Sequence, residues 1–117
     1  MKTARVMIVE DEALVAMMVE DMLDDMGCEV AGSFGAVETA LAWLSDHPPP
    51  DGAVLDVNIG GEMVFPVAEK LRERGVPFVF ATGYCDLPRS GFESVEVLAK
   101  PINAGALRMA VDRFRAG

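Results

Sequence analysis

Short continuous apolar runs alternate along this chain with longer stretches in which apolar residues recur every three or four positions. Residues 6–9, 53–55 and 78–81 are uninterrupted runs, the pattern of strands covered on both faces, and they predict three central strands. Residues 28–31 and 95–98 are broken by Glu29 and Glu96, which predicts partly wet edge strands. Between these runs, Leu14, Met18 and Met22, then Val37, Leu41 and Leu44, then Val67 and Leu71, and finally Leu107, Val111 and Phe114 stand at helical spacing. Each set predicts the inward face of a helix. Gly27 and Gly75 sit where helices should end, and Asn103 suits the N-cap of the last one.

Strand followed by helix, five times over, predicts an α/β fold: a doubly wound, five-stranded parallel sheet with right-handed crossovers. With edges at the second and fifth strands, the order is the flavodoxin-like 2-1-3-4-5. That order puts the functional crevice at the carboxyl ends of strands 1 and 3. Pro88 and Gly91 punctuate the stretch between the fourth and fifth strands, so the fourth helix is expected to be shortened or disordered.

Composition narrows the function classes. The 117 residues suit one domain covering residues 1–117, and 51% hydrophobic content is enough for a core. A net charge of -9 argues against nucleic acid and anionic membrane as partners. The N-terminal apolar run is too short for a signal peptide, and no run is long enough to span a bilayer. A cytoplasmic protein is expected, with Cys28 and Cys85 reduced.

The predicted strand ends carry the chemistry. Glu10 and Asp11 follow the first strand, Asp56 the third, Thr82 the fourth and Lys100 the fifth. Each alone reads equally well as a helix cap. Together, three carboxylates at one rim repel one another and call for a cation, and an all-oxygen donor set suits Mg²⁺. A carboxylate beside a metal ion, an ammonium and a hydroxyl is placed to attack phosphorus, which makes Asp56 the candidate nucleophile and phosphoacceptor.

These residues resemble the receiver domains of two-component response regulators over essentially the whole chain, through Glu10-Asp11, Asp56, Thr82 and Lys100-Pro101. The resemblance implies Mg²⁺ held by Glu10, Asp11, Asp56 and the backbone carbonyl of Asn58. It implies a phosphoryl group passed to Asp56 from a histidine kinase or phosphotransfer protein, with Thr82 and Lys100 binding its oxygens and a cis bond before Pro101. Residues 77–84, P-F-V-F-A-T-G-Y, resemble more narrowly the receivers named for the F-A-T-G-Y motif. These are mostly stand-alone, and no attached output domain is expected. Gly83 and Tyr84 are then candidate switch residues, because Val97 stands where receivers usually carry a switching aromatic.

Two other classes fit less well. A Mg²⁺-dependent phosphohydrolase would use a second Asp two residues after the nucleophile, where Asn58 stands, so no turnover enzyme is expected. A flavin carrier would need a phosphate-cradling loop where Glu10-Asp11-Glu12 repels phosphate. A receiver-like interaction module that is never phosphorylated is disfavoured, since no part of the site is missing. His47 is read as solvated, Trp43 and most methionines as core, and Gly60-Gly61 as a flexible link beside Asp56.

Overall fold

In the computed structural model, which describes residues 3–83 and 91–116, the elements run β1 (Arg5–Val9), α1 (Ala13–Asp25), β2 (Glu29–Phe34), α2 (Val37–Asp46), β3 (Gly52–Asp56), β4 (Asn58–Ile59), β5 (Glu62–Met63), α3 (Phe65–Glu73), β6 (Phe78–Thr82), β7 (Val97–Ala99) and α4 (Ala104–Ala116). Five parallel strands form one sheet in the order β2-β1-β3-β6-β7. Numbering only its own strands, this is the expected 2-1-3-4-5, and helices cover both faces. Tyr84, Cys85 and Pro88 lie outside the described residues, and with them most of the place of the fourth helix of the sequence pattern. Residues 91–96, which lead into β7, form turns.

Period-2 alternation divides the strands between two cores. Met7, Val9, Leu55 and Phe80 point to the side of α2 and α3, and Val6, Ile8, Val54 and Val79 to the side of α1 and α4. The ends of β1, β3 and β6 that carry the candidate chemistry therefore sit on a sheet buried from both sides. Helix ends follow the local signals. Gly27 and Gly75 have φ of 76° and 72° just past α1 and α3, and the Asn103 side chain accepts a 3.1 Å bond from the Ala106 N–H at the start of α4.

Four expectations need correction. The buried face of α1 is Ala16, Val19 and Leu23, whereas Leu14 is 71% and Met18 44% exposed. Met22 is only partly buried. Counting large side chains phased this helix wrongly, because Ala16 carries little hydropathy yet is the residue small enough to lie against the sheet. Methionine is likewise less of a core residue than its spacing implied, with Met17, Met63 and Met109 also exposed. The edge strand after α1 runs on to Phe34, because a bulge between the partners of Val6 and Met7 skips Ala31 and resets the register. Lastly, His47 is exposed but not simply solvated: its ring stacks on Trp43 with centroids 4.8 Å apart, and its Nδ1 lies 2.9 Å from the Trp43 carbonyl oxygen.

Candidate functional site

Asp56 is the last residue of β3, and its carboxylate is divided between two partners. Oδ2 accepts a 2.9 Å bond from Lys100 Nζ, and Oδ1 accepts a 3.2 Å bond from the Asn58 N–H. Lys100 Nζ also reaches Glu10 Oε1 at 2.7 Å, and the other Glu10 oxygen takes the Glu12 N–H at 3.0 Å. Glu10 and Asp56 are only 6% and 7% exposed. Charges this deep require pairing, and a single ammonium serves two carboxylates. The Glu12 side chain at the N-cap of α1 makes no capping bond, so the acidic run after β1 is not an ordinary helix cap.

The electrostatics match the geometry. Burial pushes the Glu10 carboxyl above its ordinary value of 4.5, against the pull of Lys100. Burial alone would lower the Lys100 ammonium, but its bonds to Glu10 and Asp56 outweigh that and raise it above 10.5. Lys100 is therefore a fixed cation. Single oxygens of Glu10, Asp11 and Asp56 all lie within 4.8 Å of one another. Three carboxylates against one ammonium leave a surplus of negative charge, and the donors are all hard oxygen, the chemistry of a Mg²⁺ site.

Asp11, Asp56, Asn58 and Lys100 line an open cavity of about 450 Å³, bounded on its other sides by Thr82, Gly83 and the turn Gly60-Gly61. Thr82 ends β6 and is 6% exposed. It is tied to the next strand where the Lys100 N–H donates to its carbonyl at 3.0 Å. The bond from Lys100 to Pro101 is cis. The tertiary fold thus brings together Glu10, Asp11, Asp56, Asn58, Thr82, Gly83 and Lys100, while Pro101 lines an adjoining small cavity with Val15, Met18 and Met22.

A model of the response regulator receiver domain family matches residues 6–112. The chain belongs to this family. Among solved structures, the receiver is similar to SdrG from Sphingomonas melonis Fr1, with 42% identity, a TM-score of 0.85 and coverage of 97% of this chain and 98% of that one. Against the beryllofluoride-activated conformation of SdrG the TM-score is 0.78, at 40% identity over 96% of this chain and 97% of that one. Curated relatives include the sensory transduction protein LytT of Bacillus subtilis, 29% identical over 95% of this chain and 48% of that protein. Another is the transcriptional regulatory protein PdtaR of Mycobacterium tuberculosis, 30% identical over 95% of this chain and 58% of that protein. The receiver spans about half the length of these curated relatives. Among its described residues no helix is long and apolar enough to cross a membrane.

Reading the sequence missed one part of the site. Gly60-Gly61 is not a loose link but the two-residue turn of the β4–β5 hairpin, in which Asn58 pairs with Met63 and Ile59 with Glu62. Both glycines have positive φ, 59° and 92°. A Gly-Gly pair between Ile59 and Met63 is a hairpin signal and was available in the sequence. The bond from the Gly60 N–H to Asp11 Oδ2, at 2.9 Å across 49 positions of chain, was not.

Proposed function

We propose that this receiver is a phosphoacceptor of a two-component phosphorelay, with Asp56 as the residue modified. The observation that carries the reading is the divided Asp56 carboxylate, held at the floor of an open cavity by Lys100 and the Asn58 amide. In the reaction, the N–P bond of a phosphohistidine breaks as an Asp56 oxygen forms a new O–P bond. Lys100 keeps its proton and pairs with a phosphoryl oxygen, and the Thr82 hydroxyl donates to another. Glu10, Asp11, Asp56 and the Asn58 carbonyl are the residues suited to hold Mg²⁺. When bound, the ion neutralises phosphoryl charge and orients the group for in-line transfer.

The surroundings favour a protein as donor, either a histidine kinase or a phosphotransfer protein. Beside the site, α1 exposes Leu14, Met17 and Met18, an apolar surface on which a partner can seat. The narrower F-A-T-G-Y membership is supported by residues 77–84 and by the likeness to SdrG. In that reading Gly83 and Tyr84 transmit phosphorylation to a protein partner, and Pro101 keeps Lys100 in place.

Intact-mass measurement with acetyl phosphate and Mg²⁺ tests the assignment. The parent protein should gain one acid-stable, base-labile phosphoryl group and Asp56→Asn none. Unchanged phosphorylation of Asp56→Asn moves the acceptor elsewhere, and no gain in the parent with either acetyl phosphate or a panel of phosphorylated histidine kinases removes the function.

A further inference from the structure

Asp11 differs from the other two carboxylates of the cluster. Glu10 and Asp56 are buried and paired with Lys100, whereas Asp11 is exposed at the mouth of the cavity. An exposed aspartate beside two negative charges has rotamer freedom and is pushed outward by them. It stays with the cluster, and its Oδ2 accepts the 2.9 Å bond from the Gly60 N–H.

The donor is a braced one. The Gly61 N–H bonds Asn58 Oδ1 at 2.8 Å, Ile59 anchors the hairpin in the core at 3% exposure, and the Val64 N–H closes its base on the Val57 carbonyl at 2.9 Å. A Cβ added at Gly60 or Gly61 would meet no heavy atom within 4 Å. Space therefore does not require glycine there; the left-handed backbone that aims the Gly60 N–H does.

We propose that the Gly60 amide is a positioning group for the cation: it fixes one Asp11 oxygen so that the other is presented beside Glu10 and Asp56. The proposal rests on reading the three carboxylates as a Mg²⁺ site. The turn acts as partners behind metal ligands do, by pre-orienting a ligand, and loss of such a partner typically weakens metal binding about 10- to 100-fold. Because the contact is made by backbone, side-chain identity at position 60 matters only through φ.

The test is calorimetric titration of Mg²⁺ alone into the parent, Gly60→Asn and Gly60→Val, with amide NMR of the same proteins. Asn tolerates the left-handed region and β-branched Val does not. Gly60→Asn should bind Mg²⁺ within about threefold of the parent, and Gly60→Val at least about tenfold more weakly. In the metal-free parent, the Gly60 amide should show the small temperature coefficient of a bonded N–H. Asp11→Ala should abolish that signature, a readout independent of whether Gly60→Val folds, and Mg²⁺ should leave it intact in the parent. Equal Mg²⁺ affinity in all three proteins, or loss of the bonded signature when Mg²⁺ binds, overturns the positioning role while leaving the cation site standing. A parent that binds no Mg²⁺ overturns the cation site itself.

Discussion

The two faces of the sheet are filled by different means. On one, the thirteen-residue helices α1 and α4 close over small and aliphatic side chains, and the fit is tight enough that Gly52 serves as the floor under the Phe114 ring. On the other, the shorter α2 and α3 leave the β6 end to aromatic rings. Phe92, from the connection before β7, lies stacked on Phe65 at 5.5 Å and edge-on to Phe80 at 5.8 Å. Arg72 covers that ring at 4.1 Å and donates to the Gly91 carbonyl at 2.7 Å. Among the described residues, the first face is closed by α1 and α4, the second by α2 and α3 together with the inserted Phe92 ring. The sequence predicts a shortened or disordered fourth helix in the stretch punctuated by Pro88 and Gly91. Phe92, at 3% exposure, shows that the far end of this segment is pinned. The site shares that anchor, because Phe92 packs on Phe80 of β6, the strand that ends in Thr82.

Breaking the anchor should have the largest effect. Phe92→Ala leaves a cavity among three rings and should cost about 3–5 kcal/mol in denaturant unfolding. Hydrogen exchange should rise near β6 and β7 before it rises in α1. A loss below about 1 kcal/mol would show that the aromatic face does not depend on Phe92.

The opposite face should fail by crowding. A Cβ at Gly52 would lie 2.3 Å from Phe114 ring atoms, so Gly52→Ala should cost about 1–3 kcal/mol. Combining it with Phe114→Leu should cost less than the sum of the single changes, and strict additivity in that cycle would refute the steric account.

A smaller effect is expected from Arg72→Ala. It removes an exposed cation from the face of the buried Phe92 ring and should cost about 0.5–1 kcal/mol. Its signature is local: faster exchange of the amides of residues 91–95, with the β4–β5 hairpin unchanged.

The smallest effect is at the rim where the faces meet, and it depends on pH. Glu10 is raised above 4.5 mainly by burial, so its contribution to stability is complete below that value and is lost as pH rises through the higher folded one. Metal-free protein should therefore melt lower at neutral pH than this carboxyl alone would allow if protonated, and Glu10→Gln should flatten that slope. Lys100 is raised above 10.5, so its support should hold through neutrality and disappear only in strong alkali. Melting curves across pH check both, and a slope unchanged in Glu10→Gln would remove Glu10 as its source.

Much of the fold was legible because strand and helix periods are local. The runs at residues 6–9, 53–55 and 78–81 became β1, β3 and β6 with only a residue added at one or both ends. Asp56 and Thr82 stood at strand ends in the pattern and do so in the fold, since a doubly buried strand admits a polar residue only where it leaves the sheet. Legibility failed where the decision was shared with a distant partner. The inward face of α1 was misphased because size and hydropathy do not reveal that the sheet beneath has room for Ala16 and not for Met18.

The sequence by itself determined the alternation of strand and helix, the parallel order of the sheet and the residues at the strand ends, all consequences of local periodicity and topology. Only the tertiary structure decided that one Lys100 ammonium serves both Glu10 and Asp56, that Phe92 stacks on Phe65, and that the Gly60 amide holds Asp11. Those contacts join residues that are 90, 44, 27 and 49 positions apart or lie on separate elements. Their geometry follows from how the layers pack, and local propensity carries no information about it.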